Sequence, residues 1–130
     1  MQYISTRNKK NVVSGPQAVV KGLSEEGGLF VPESLPKFSL AEIEALCELS
    51  YEERAAEIIY GFMPELTKES LKEFTGKAYS RFDGDAAPLV KIDDGLYILE
   101  LWHGPTHAFK DIALTLLPHL LVGSKKYLGK

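Results

Sequence analysis

The chain has 130 residues, of which 45% are hydrophobic and 25% charged, and its formal net charge is −3. That length suits one compact domain with a sizeable core, and the mildly acidic balance argues against an electrostatic binder of nucleic acid or membrane surfaces. One cysteine, Cys47, leaves no internal disulfide to form, and no apolar run approaches membrane-spanning length.

The opening "MQYIST" carries β-branched and aromatic residues suited to a short strand, which "RNKKN" interrupts with polar turn-formers. It lacks the apolar core of a signal peptide, so a cytoplasmic location is the default expectation. In "VSGPQAVVKGL" Pro16 suits a first helical turn and Gly22 an exit, which predicts a short helix over Pro16 to Lys21. Gly27-Gly28 then makes a turn and Leu29 to Val31 a minimal strand, with Pro32 and Pro36 blocking its extension.

Three helices follow. Ser39 with Glu42 and Ser50 with Glu53 have capping-box spacing, which predicts helices over Leu40 to Glu48 and Tyr51 to Met63. The second of these is expected to bury Ala55, Ile58, Ile59 and Phe62, and Cys47 reads as a small buried hydrophobe on the first. Thr67 caps a third helix with Leu71, Phe74 and Ala78 on one face, weakened in its middle by Gly76. After the turn-rich "RFDGDAAP", the runs "LVKI" and "YILEL" read as strands joined by "DDG", in which Asp94-Gly95 is a strong hairpin signal.

The second strand feeds into "LWHGPTHAFKDIALTLLPHLL". At helical spacing, Phe109, Ile112, Ala113, Leu116, Leu117, Leu120 and Leu121 form one apolar stripe, with Lys110 near its edge and Pro118 expected to kink or end the helix. A cation in the first turn opposes the helix dipole, whereas Asp111 there is favoured. A positive helix end and partial desolvation both favour the neutral, nucleophilic amine, suited to condensing with an aldehyde. The bland alternative is a surface lysine whose stem snorkels along apolar neighbours. His103 and His107 are four apart, but Gly104-Pro105 between them breaks the helix that a zinc pair needs, so no metal site is expected. His119 falls off the stripe. No phosphate-loop, dinucleotide, nucleophile-elbow or C-x-x-C signature occurs.

"LELWHGPTHAFKDIAL" resembles the lysine segment of the threonine synthases, which depend on pyridoxal phosphate, and "YISTRN", "AVVKGLSEEGGLFVPESLP" and "LSYEERAAEII" resemble the N-terminal region of that family in the same order. The resemblance implies an α+β fold. Its first unit, over residues 1–80, is mostly helical with short strands. Residues 81–130 form a hairpin and a lysine-bearing helix, the start of a fold-type II cofactor domain of the kind seen in tryptophan synthase beta chains. By the same resemblance Lys110 holds pyridoxal 5'-phosphate, is displaced by the amino group of O-phospho-L-homoserine, and then moves protons at the α, β and γ carbons. Loss of phosphate and addition of water give L-threonine. Thr106 and Asp111 match positions expected to shape the turn and orient the lysine helix, and Arg7 is a candidate for the substrate phosphate.

Threonine synthases are several times longer, so the resemblance implies an N-terminal segment, inactive alone, whose partners are the remainder of a parent chain and the small-molecule substrate. No Gly/Ser-rich cradle for a cofactor phosphate is evident in the sequence. Two alternatives stay open. One is another fold-type II lyase, a threonine dehydratase or a cysteine synthase, although those more typically place Ser before the lysine motif and Arg after it, where this chain has Ala108 and Ile112. The other is a non-catalytic α+β module that binds a partner, or its own copy, through its apolar C-terminal helix.

Overall fold

The computed structural model describes all 130 residues. Strand β1 (Gln2–Ser5) is the centre of a three-stranded antiparallel sheet, flanked by β2 (Val12–Ser14) and β3 (Phe30–Pro32). Tyr3 pairs with Val13 on one side and Pro32 on the other. Pro32 thus ends an edge strand rather than preceding a break, and an edge tolerates the missing N–H. Helix α1 (Gly15–Lys21) leaves β2 at once: Ser14 Oγ accepts from the Gln17 N–H while Gln17 Oε1 accepts from the Ser14 N–H, a reciprocal cap.

Both capping boxes read from the sequence form, at the starts of α2 (Leu40–Cys47) and α3 (Tyr51–Phe62), and Thr67 caps α4 (Lys68–Tyr79). Two clusters make the core. Ala56, Met63, Leu66 and Leu71 form one; Ala78, Tyr79, Phe82, Ala86 and Leu116 form the other, and Leu120 packs against both. The buried line of α3 runs through Ala56 rather than the expected Ala55, and Ile58 is exposed. Ala55 is partly buried against the cluster of Ala78 and Tyr79, and Ile59 packs against both clusters. Helix α2 lies outermost and buries nothing, so Cys47 is exposed, contrary to expectation, with its thiol donating to the Ile43 carbonyl.

The hairpin forms from β4 (Leu89–Asp93) and β5 (Leu96–Leu99), turning at Asp94-Gly95. Every residue of both strands is exposed. The C-terminal helix, expected to kink or end at Pro118, divides before that residue into α5 (Asp111–Leu114) and α6 (Leu117–Tyr127). Pro118 falls in the first turn of α6, where a missing N–H costs nothing, and the chain resets at Thr115 and Leu116. Helix α6 packs on α1 and α4. It buries Gly123 and Ser124, and Leu116 just before it is buried too, while Leu117 of the expected stripe is exposed, as are Phe109 and Leu114. No helix is long and apolar enough to cross a membrane.

Candidate active-site turn

Residues 100–110 carry the chain from the end of β5 to the start of α5, and polar contacts shape them almost throughout. At the far end Asp111 is buried, and its carboxylate accepts twice from Thr106: the backbone N–H reaches Oδ2 at 2.7 Å and the hydroxyl reaches Oδ1 at 2.7 Å. The Thr106 hydroxyl first, and its N–H second, hold the Asp111 carboxyl below the usual carboxylate range. The ionised form is therefore the one the fold stabilises, and that stabilisation is present above the ordinary range and lost as the pH falls through the lowered value. Gly104 lies against the same side chain. A Cβ there would sit 2.4 Å from Asp111 Cβ, so the turn closes only over a glycine.

Between these points His107 adopts a left-handed backbone, φ 56°, with its N–H donating to the Gly104 carbonyl at 3.0 Å and its Nδ1 3.2 Å from the Trp102 carbonyl. A non-glycine residue in this region stores strain, which the two contacts offset. At the near end His103 Nε2 meets Glu100 Oε2 at 2.6 Å, and the Asp83 N–H donates to the His103 carbonyl at 3.0 Å. The His103 ring stacks on Trp102, with centroids 5.8 Å apart.

Lys110 stands at the N-cap position of α5 with helical backbone angles, and its carbonyl accepts from the N–H groups of Ala113 and Leu114. Its side chain is exposed. The apolar neighbours expected to desolvate the amine do not do so within these residues: Phe109 is 65% exposed and Leu114 55%. The helix behind Lys110 is anchored instead through Tyr79, whose hydroxyl donates to the Ile112 carbonyl at 3.3 Å. Burial, with a smaller contribution from Tyr51, pushes the Tyr79 phenol up to about 12.

Arg7 lies elsewhere, on the loop after β1. Its guanidinium donates to the Glu26 carbonyl at 3.2 Å, while the Glu26 carboxylate takes the Asn11 amide. Thus Arg7 has no carboxylate partner, and no contact joins it to the lysine turn. Beside it is a polar nest that the sequence reading missed. Ser24 Oγ donates to the Gly28 carbonyl and accepts the Gly28 N–H, so Ser5, 3.0 Å away, is the donor between the two buried hydroxyls. Ser5 Oγ also accepts from the Arg7 and Asn8 N–H groups. A Cβ on Gly28 would lie 2.3 Å from Ser5 Oγ, which makes the glycine obligatory. The Glu100–His103 pair was missed as well, although its three-residue spacing was visible.

Of the charged and titratable side chains from Glu100 to Asp111, Lys110 alone has no hydrogen-bond or ion-pair partner. The turn is therefore a rigid mount for one primary amine, suited to a nucleophile or a proton carrier. The family model described as threonine synthase N terminus matches residues 2–79. The chain is 40% identical over 123 residues to a threonine synthase of Schizosaccharomyces pombe, an alignment covering 92% of this chain and 24% of that protein. It is 41% identical over 123 residues to one of Pseudomonas aeruginosa, covering 93% and 26%. Among solved structures, a threonine synthase with bound pyridoxal phosphate from Brucella melitensis superposes with a TM-score of 0.91 at 36% identity, over 100% of this chain and 28% of that one. The chain thus spans about a quarter of the length of the curated relatives it matches.

Proposed function

The chain belongs to the threonine synthase family, whose N-terminal region it matches, and from that premise we propose that Lys110 is the residue through which the protein holds pyridoxal phosphate. The proposed reaction is the conversion of O-phospho-L-homoserine and water to L-threonine and phosphate, a carbon–oxygen lyase reaction. The observation that carries this reading is the unpaired, exposed amine of Lys110 on a turn whose other charged and titratable side chains all bond to the turn itself.

These residues fit the cofactor at its aldehyde, with which a primary amine condenses. When bound, pyridoxal phosphate supplies the electron sink for charge left on carbon. The remaining work falls to the chain. The Lys110 amine, once freed by substrate, takes and returns protons at the α, β and γ carbons, and its exposure leaves it free to reach each of them in turn. Thr106 and Asp111 are positioning residues: their paired hydrogen bonds hold the backbone from which Lys110 projects. Arg7, without a carboxylate partner, is the candidate for the substrate phosphate. In a protein of the relatives' length, residues 81–130 begin the cofactor domain, and the rest of that chain covers the apolar hairpin.

The test is chemical. The intact protein is incubated with pyridoxal phosphate, reduced with borohydride and mapped by peptide mass. Selective modification of Lys110 is expected; uniform modification of the lysines would remove the reading. Lys110→Ala is expected to abolish phosphate release from phosphohomoserine, and release at the unmutated rate would sink the assigned role.

A further inference from the structure

Exposed on both faces, the β4–β5 hairpin has no packing of its own by which to hold the lysine turn. The turn's first residue nevertheless belongs to it, because the Glu100 N–H donates to the Pro88 carbonyl at 3.0 Å and so extends the hairpin ladder by one bond. Three residues later, His103 is bound at two points. Its ring meets the Glu100 carboxylate at 2.6 Å, and its carbonyl receives the N–H of Asp83, the neighbour of the core residue Phe82. The Glu100 and His103 side chains are only 22% and 26% exposed, so water screens this contact less than it would at an open surface. Beyond His103 the chain is clamped again by Gly104, Thr106 and Asp111, and Lys110 follows.

We propose that Glu100 and His103 are positioning residues for Lys110, a polar clasp that locks the hairpin's end to the lysine turn so that the seating of the hairpin sets where the amine points. The inference rests on the assignment of Lys110 as the cofactor lysine. The physical reason is substitution of one kind of contact for another. Packing fixes the helices, but Trp102 and Phe109 on either side of the turn are exposed. Directional hydrogen bonds then define the path, and the Glu100–His103 bond spans Leu101–Trp102, upstream of the Thr106–Asp111 clamp, beside the contact of the Trp102 carbonyl with the His107 ring. Loss of the clasp leaves the amine intact but widens the range of positions it samples, which lowers its rate of productive attack.

The chain's single tryptophan, Trp102, stacks on His103 and reports on the same turn. In the intact protein, Lys110 modification by pyridoxal phosphate and borohydride is timed by peptide mapping alongside Trp102 emission. Glu100→Ala and His103→Ala are each expected to slow modification of Lys110 by about tenfold, with the other lysines unchanged and Trp102 emission shifted. The double variant is no slower than either single one, because one contact is lost in all three. Glu100→Gln, which keeps an oxygen to accept from the ring, recovers most of the rate. Should Glu100→Ala fail to fold, Glu100→Asp carries the test: it keeps the charge but withdraws the carboxylate by one methylene, and the same slowing is expected. Modification at the unmutated rate in Glu100→Ala, or in Glu100→Asp, overturns the proposal. If the unmutated protein shows no preference for Lys110, it is the cofactor assignment that fails, and the two failures are distinguishable.

Discussion

The helical layer and the lysine-bearing turn are held by different physics. Around α3 and α4, apolar side chains pack out of water, with Leu71 and Ala78 fully buried and the charged side chains left on the outer faces. From Leu89 to Lys110 almost nothing apolar is covered. Order there comes from bonded pairs: Glu100 with His103, Thr106 with Asp111, His107 with the Trp102 carbonyl. Packing is tolerant of small changes in direction, whereas hydrogen bonds are not.

That contrast can be broken from either side. The largest effect is expected in the packed region. Leu71→Ala leaves a cavity in the core between α3 and α4 and should cost about 3 kcal/mol, read from the midpoint of urea unfolding; a cost below about 1 kcal/mol would mean that the layer is looser than its burial implies. Next is Gly104→Ala. Its new methyl meets Asp111 at a backbone-proximal atom, so the turn must open, at about 2 kcal/mol, and modification of Lys110 should slow with it. Stability lost without any change at Lys110 would uncouple the turn from the amine.

Tyr79→Phe tests the bond between the two regions. Removing the hydroxyl that donates to the Ile112 carbonyl should cost about 1 kcal/mol at neutral pH. The difference narrows in alkali. The folded protein holds the Tyr79 proton up to about 12, above its ordinary 10, so that contribution is complete below pH 10 and lost as the pH rises through 12. The Phe variant lacks this loss, so the unfolding midpoints of the two proteins, separated at neutral pH, should converge by about pH 11. The smallest effect is expected at the hairpin: Ile98→Lys changes an exposed side chain, and the 130-residue chain should move by less than about 0.5 kcal/mol. A larger loss would show that the hairpin face is covered after all.

Features governed by residues a few positions apart were legible before the structure. The boxes of Ser39 with Glu42 and Ser50 with Glu53, the Thr67 cap and the Asp94-Gly95 hairpin all formed where the spacing put them. Lys110, Thr106 and Asp111 of the candidate site also sit within one short segment, where the Thr106–Asp111 bond closes over five residues. Arg7 was legible as a residue but not as a place: the turn at residues 24–28 that fixes its guanidinium lies 19 positions along the chain, and no local pattern announces that approach.

Helix starts and turns belong to the chain's local order, where short-range hydrogen bonds and backbone preference decide the outcome. Which face of each element is covered does not. Periodicity in α3 marks an apolar side, but the fully buried residue there is Ala56, with Ala55 only partly covered. Composition made Cys47 a candidate for the core, yet no element packs over α2 to bury it. The apolar stripe after Phe109 was read as a helix that Pro118 kinks or ends; the break falls before Pro118, and packing against α1 and α4 buries Gly123 and Ser124 in a second helix. Burial depends on neighbours distant in the chain, and the free energy of apolar contact carries no direction along the sequence. Tertiary structure alone therefore settles it.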